Sequence, residues 1–538
     1  MRPVLDRRAF FTATAAGLLL PVRPALAGLW ADSGFTHGVA SGYPGPDSIK
    51  VWTRYAAPGG GDATLKVEVA SDTGFRRIIA RSDAVAGPAT WGTAQARIGG
   101  LPPKGWVYYR FTAPDGTQSP VGRTRALPAG KLSQFKIAVF SCANKPFGWF
   151  NAYAHAAARD DIDLVVHTGD YLYEYPRGTY PSIAETLAGR DIEGAGEMLD
   201  LDSYRQRYAS YRVDPALQEL HRRFPMIAIW DDHEYANDAW RGGAQNHGPD
   251  EGDWFKRKAI ARQVHGEWLP GPDRIWHRYD IGDLISVVTL DTRIEGRTEQ
   301  LDMGAAMKEG MTGLKTFRDT IWSDPSRSLL GPEQESFVAN TLKASVAAGQ
   351  KWQLVAQQIV MGNVVSPKET PTWLPPNPSA RSLAYVKGGV AAASIGLPGN
   401  MDSWGGYPAA RSRLLKAAQA ADADMVVISG DSHNAWAFNL AEGGKPAVVE
   451  FAGQSVTSPG YESALVADPA IIRAAVVANS PEMTWCDTSR RGYLTVDFTT
   501  SAARCDWVFM TTIKSAVTTT SKGQSARVKR GKRVMELI

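Results

Sequence analysis

Three cysteines in 538 residues, Cys142, Cys486 and Cys505, are too few for a disulfide framework, so the fold is expected to rest on its core rather than on cross-links. Cys486 and Cys505 flank an expected hairpin, RGYLTVDFTTSAARCDWVF. A turn near Ser501 would place Cys505 opposite about Asp497, and that register argues against a bond between the two. An excess of one charge is lacking as well: 59 Lys and Arg against 55 Asp and Glu leave a net +4, and no nucleic-acid-binding module is evident. The apolar run Ala15 to Val22 is too short to span a bilayer, so no transmembrane anchor is expected.

What is present begins with an address. Arg7-Arg8-Ala9-Phe10-Phe11, the apolar run and Ala25-Leu26-Ala27 follow the order of a twin-arginine signal peptide over residues 1–27, which predicts delivery by the twin-arginine export machinery to the periplasm or the medium. Removing it takes away four arginines and one aspartate and leaves about +1. The last 25 residues carry seven Lys and Arg against one Glu, and this tail, 514–538, is expected to be solvated and flexible. The remainder, with 52 Gly, 33 Pro, 17 Trp and 18 Tyr, reads as a soluble globular chain rich in turns and strands, too long for one ordinary core.

Residues 28–128 show short alternating segments (SIKVWTRY, TLKVEVASD, AQARIGGL, WVYYRFTAPDG) between turn residues, the pattern of an immunoglobulin-like or fibronectin-like β-sandwich. Beyond the linker at 126–130 the texture changes to α/β. Nearly continuous apolar strands end abruptly in polar residues over 129–513: FKIAVFS at Cys142, DLVVHTG at Asp170, MIAIW at Asp231-Asp232-His233-Glu234, ISVVTL at Asp291-Thr292-Arg293, and MVVISG at Asp431-Ser432-His433-Asn434. Sheets covered on both faces place such ends along one rim, where ligands of α/β proteins gather. Residues 176–222, read as helical and polar, and 365–407, rich in Pro, Ser and Gly, are expected to be insertions over that rim that shape access.

Each cluster alone has a packing explanation, but several strands ending in metal-ligand types are not something packing requires. A carboxylate such as Asp170 can bridge two cations, a thiolate and a phenolate three residues from Asp170 favour ferric iron, and further carboxylates suit hard divalent ions. Two metals roughly 3.5–4 Å apart can hold a phosphoryl oxygen and acidify a water, the requirement for phosphoester hydrolysis.

The motifs FTHGVASGYP at Phe35, VWTR at Val51, FSCAN at Phe140, HTGDYLYEY at His167, WDDHEYANDAW at Trp230, LDTR at Leu290, LGPEQ at Leu330, GDSHNAW at Gly430, EFAGQSVTSPG at Glu450 and SRRGYLTVDFT at Ser489 resemble, in order, those of the PhoD-like alkaline phosphatase and phosphodiesterase family. This is a branch of the metallophosphoesterases related to purple acid phosphatases. The resemblance implies a four-layer α/β/β/α core after the N-terminal sandwich. It also implies Fe(3+) on Cys142, Asp170 and Tyr173, completed by Asp431 or His433, and Ca(2+) bridged by Asp170, with Asp231, Asp232 and Asn237 as candidate ligands. His233 stands where related enzymes carry their transition-state histidine, and Arg293 is expected near the phosphate. The expected reaction is direct in-line attack by a metal-activated hydroxide on a small-molecule or lipid phosphoester, by a monomer. Two alternatives stay open: a phospholipase D-like phosphodiesterase acting on lipid head groups or wall polymers, and an inactive envelope binding protein on the same fold. Two stretches depart from the pattern: Ile294 follows LDTR in place of an aromatic, and Ser403-Trp404-Gly405-Gly406-Tyr407-Pro408 is less acidic than the family version.

Overall fold

The computed structural model describes residues 34–538; the expected signal peptide lies outside the described residues. Two large sheets form the centre. The first has ten strands, and its middle is a parallel run of Gln134–Phe140, Leu164–His167, Pro225–Ala228 and Val39–Gly42. The second has seven strands around the parallel run Ile285–Thr289, Trp352–Ala356, Met425–Ser429 and Lys445–Ala452. These strands are continuous apolar runs because both faces of each sheet are covered. Ile137, Val139, Leu164 and Val166 of one sheet meet Val287, Leu354, Val426 and Ile428 of the other in a single apolar layer. On the outer face of the first sheet lie the helices Asn151–Ala157, Leu201–Arg212, Pro215–Arg223 and Trp254–Trp268; on that of the second, Gly331–Ala347, Pro408–Ala420 and Pro469–Asn479. The layers therefore run α/β/β/α.

The N-terminal region is built of strands, with a short 3-10 turn at Pro88–Thr90. Ala63–Ala70 buries alternate residues, as its period-2 pattern predicts, within a four-stranded sheet. That sheet packs through Leu65, Val67, Tyr109 and Phe111 on Val39, Ile49 and Val51. The facing strands of this sandwich are continuous with the core: Val39–Gly42 pairs in parallel with Pro225–Ala228, so one sheet crosses the linker at 126–130.

Two expectations are corrected. The basic tail is not a flexible terminus: Thr520–Lys529 pairs with Ala502–Met510, and Met535–Leu537 pairs with Thr520–Lys529 at the edge of the ten-stranded sheet. Its polar residues face outward, while Ala526, Val528 and Met535 enter the inter-sheet core. Within 176–222, helix begins only at Leu201; the glycines at 178, 189, 194 and 196 and Pro181 leave the preceding stretch irregular. The cysteines follow their expected separation. Cys486 lies in Met483–Asp487 of the seven-stranded sheet and Cys505 in the ten-stranded sheet opposite Val496, one residue from the expected partner, and all three thiols are free.

The helical layer over the first sheet contains histidines held neutral by burial. Burial lowers His167 and His265 from 6.5 to about 3, and drives His37 and His221 well below the ordinary value. Unfolded histidines bind protons at a pH where these cannot. Stability is therefore undiminished above 6.5 and falls as pH drops toward 3, by about 1.4 kcal/mol per pH unit for each such histidine. Thermal unfolding followed from pH 7.5 to 4.5 should show a steep loss of stability, and His265→Gln should make that loss shallower. An unchanged slope in His265→Gln would remove this histidine from the account.

Candidate metal centre

The ends of the parallel strands bring the chemistry together. Cys142 follows Gln134–Phe140, Asp170 follows Leu164–His167, Asp231 and Asp232 follow Pro225–Ala228, and Asp431 and His433 follow Met425–Ser429. The turns are tight enough to need unusual backbone. Cys142 (φ 59°), Asp170 (52°), Asp431 (63°) and His433 (63°) all adopt left-handed conformations that side chains other than glycine seldom take, a cost tolerated chiefly at functional sites. Gly169, at φ 108°, is required by space as well: a Cβ there would lie 2.4 Å from the backbone nitrogen of Asp231. Glu234 ties two of these turns with one buried carboxylate, accepting from the backbone N–H groups of Asp170 (3.1 Å), Tyr171 (2.5 Å) and Asp231 (2.7 Å).

Three ligand groups result, each with donor atoms within 4.8 Å of one another: Cys142, Asp170 and His433; Asp170, Asp232 and His233; and Asp231, Asp232 and Asp431. Asp170 belongs to the first two and Asp232 to the last two, so the groups form a chain through shared carboxylates. Tyr173 joins the first, its hydroxyl 3.2 Å from both Asp170 Oδ2 and His433 Nε2 and 2.6 Å from Ser458 Oγ. His433 Nδ1 lies 2.8 Å from the carbonyl oxygen of Pro459, which can only accept; Nδ1 therefore carries the hydrogen and Nε2 presents a lone pair toward Tyr173.

All of this is buried. Burial pushes the Cys142 thiol and the Tyr173 phenol well above their ordinary values, and Asp170 beside each adds to the effect. Neither ionises there without a cation alongside. Thiol, phenol, imidazole and carboxylate within one buried group therefore fit a bound metal ion.

Arg293 sits among carboxylates instead of being displayed to an open cleft. Its Nε donates to Asp231, one terminal nitrogen to Asp402 (2.7 Å) and the other to Asp431 (2.7 Å), with Asp232 at 3.6 Å. Burial opposes its charge, but the four carboxylates outweigh burial and hold the guanidinium well above its usual value. Asp291 fixes the Arg293 turn by accepting from the N–H groups of Arg293 and Ile294, both at 2.8 Å. Asn237 is at the margin: its amide donates to Gln245 and its backbone N–H to Glu174.

Asp402 and Glu174 were not singled out by the sequence. Asp402 comes from the 365–407 segment, with no strand end to mark it, and binds both Arg293 and Arg297. Glu174 is the last acid of GDYLYE and contacts His233 only in three dimensions. The same 365–407 segment supplies Pro398, Asn400 and Ser403 to a cavity of about 10 Å³ against Asp431 and Ser432, space for roughly one water.

The family model described as PhoD-like phosphatase matches residues 137–507, and the one described as PhoD-like phosphatase, N-terminal domain, matches residues 23–128. The chain belongs to the PhoD-like phosphatase family. It is 34% identical over 454 residues to alkaline phosphatase D of Bacillus subtilis (strain 168), spanning 79% of this chain and 70% of that one. Among solved structures it is similar to "Structure of PhoD", with 27% identity, a TM-score of 0.76 and coverage of 96% and 93% of the two chains. It also shares the fold of the purple acid phosphatase PPD1 from yellow lupin seeds, at a TM-score of 0.56 with 14% identity and coverage of 93% and 75%. This PhoD-like chain is accordingly a phosphoester hydrolase with the metallophosphoesterase architecture, preceded by an N-terminal domain built of strands. No helix among the described residues is long and apolar enough to cross a membrane.

Proposed function

We propose that this PhoD-like chain is an exported, metal-dependent hydrolase of phosphate monoesters, phosphodiesters or both, with ferric iron on Cys142, Asp170, Tyr173 and His433. Calcium would be held by the carboxylates of Asp231, Asp232 and Asp431, with Asp170 reaching it from the side of Asp232 and Asn237 a marginal further ligand. The observation that carries the reading is the position of Asp170, common to the thiol-phenol-imidazole group and to the group containing Asp232 and His233. When bound, such ions supply Lewis acidity toward the phosphoryl oxygens and lower the pKa of an attacking water.

The chain's own residues supply the rest. Cys142 and Tyr173 neutralise a high positive charge in a place where they would otherwise stay protonated. Glu234 keeps the Asp170 and Asp231 turns in register, so the two halves of the centre do not drift apart. His233 lies beside Asp170 and Asp232 and acts on charge that develops on phosphoryl and leaving oxygens. Arg293 orders the carboxylates rather than gripping substrate. The twin-arginine leader delivers the protein to the periplasm or medium in folded form, consistent with a buried metal set.

Turnover of an aryl phosphate, a bis-aryl phosphodiester and a phospholipid by the as-isolated protein tests the assignment. Hydrolysis of the monoester or the diester is expected, whereas preference for the phospholipid alone would favour the phospholipase D-like reading. Absence of turnover on all three by metal-loaded protein would favour a binding protein. Tyr173→Phe should keep the fold but lose the visible absorption band expected of a ferric phenolate; an unchanged band would remove Tyr173 from the iron.

A further inference from the structure

The work of His233 depends on which way its ring faces, and the fold settles that with a second buried acid. His233 Nδ1 lies 2.6 Å from Glu174 Oε2, with the histidine 2% exposed and the glutamate 0%. The other oxygen of Glu174 accepts the backbone N–H of Asn237 at 2.8 Å and the side-chain amide of Asn246 at 2.9 Å. Asn246 is itself held: its amide also reaches Glu197 at 3.0 Å, and Arg257 donates to its backbone carbonyl oxygen at 3.1 Å and to Glu197 at 2.7 Å. A carboxylate gripped from two sides by fixed donors has one orientation, and its free edge points at His233.

We propose that Glu174 is the positioning residue for His233, with Asn246 as the clamp that keeps Glu174 in place. Because the other partners of Glu174 all donate to it, the hydrogen between the two side chains belongs to His233 Nδ1. Nε2 is then the atom that faces Asp170 and Asp232. The rings of Tyr173 and Tyr175, with centroids 4.2 and 5.4 Å from that of His233, limit rotation about the remaining axis. With a second hydrogen on Nε2, a ring anchored in this way donates it to a leaving oxygen without reorganising, and the carboxylate on Nδ1 stabilises the positive charge that the doubly protonated ring carries until then. Glu174 touches neither substrate nor metal in this scheme; it acts through His233. The inference rests on the proposed role of His233 in phosphoester hydrolysis.

Glu174→Gln keeps the shape and removes the charge. The test compares its kcat with that of the unaltered enzyme on a dinitrophenyl phosphate, whose leaving group needs no help, and on an alkyl phosphate, whose leaving group does. The expected result is a loss of about 100-fold on the alkyl ester, the scale of one positioned proton-transfer group, and a loss of less than about threefold on the dinitrophenyl ester. Iron and calcium content and competitive inhibition by inorganic phosphate should be unchanged. Asn246→Ala, at a partly exposed site, should show the same selectivity at smaller amplitude and guards against a Glu174 variant that fails to fold. Equal losses on both esters would overturn the proposal, as would no loss on either. Loss of a metal ion with a flat response to leaving group would also overturn it, since His233 would then be a ligand and Glu174 its support. Failure of the unaltered enzyme to hydrolyse either ester would instead count against the proposed function, which keeps the two failures distinguishable.

Discussion

Asp170→Asn should yield a folded protein that holds neither ion and turns over no ester. Asparagine occupies the same volume, and the backbone bonds that shape the turn, from Ala143 N–H to the Asp170 carbonyl and from Asp170 N–H to Glu234, do not involve the side chain. The fold therefore loses little. The centre loses the carboxylate shared by the Cys142–His433 group and the Asp232–His233 group, and with it the charge that joins those two. Turnover should fall by more than about 10³-fold, above the effect of deleting a single preorganised donor, because two cations lose a ligand together. Metal analysis and circular dichroism on the same preparation separate this outcome from misfolding. A folded Asp170→Asn protein that retained full activity would sink the assignment of Asp170 as the bridge.

Arg293→Met should act in a different way, through stability first. The arginine is fully buried and neutralises a cluster of carboxylates on two strand ends and the 365–407 segment. Removing one partner of such a network leaves buried charge uncompensated, at a cost of about 3–5 kcal/mol. Denaturant unfolding of the metal-depleted protein should show that loss, and millimolar calcium should recover part of it, because Asp231, Asp232 and Asp431 form the group to which calcium is assigned. A phosphate clamp would behave otherwise, with KM raised and stability unchanged. That second pattern would return Arg293 to the substrate.

Much of this centre was legible in the chain because apolar strands and their polar ends lie side by side in the sequence. DLVVHTG followed by Asp170, and MVVISG followed by Asp431, announce a covered sheet and its rim within a dozen residues each. The allocation of Asp431 and His433 was not legible, since the two are separated by one residue and only the left-handed turns send His433 toward Tyr173 and Asp431 toward Arg293. Asp402 was hidden for a related reason: it arrives from an insertion whose composition suggests a loop and whose partners, Arg293 and Arg297, are more than a hundred residues away. The tail misled through composition. In TSKGQSARVK the Ser, Lys and Gln residues suit solvent, yet Ala526 and Val528 alternate at strand spacing and are buried, which is what a strand with one wet face looks like.

Elemental analysis of the as-isolated protein, with activity measured on the same sample, tests the central claim most directly. One iron and one calcium per chain, both lost from Asp170→Asn together with turnover, is the predicted result. A preparation that hydrolyses phosphoesters at full rate with neither metal bound would contradict it.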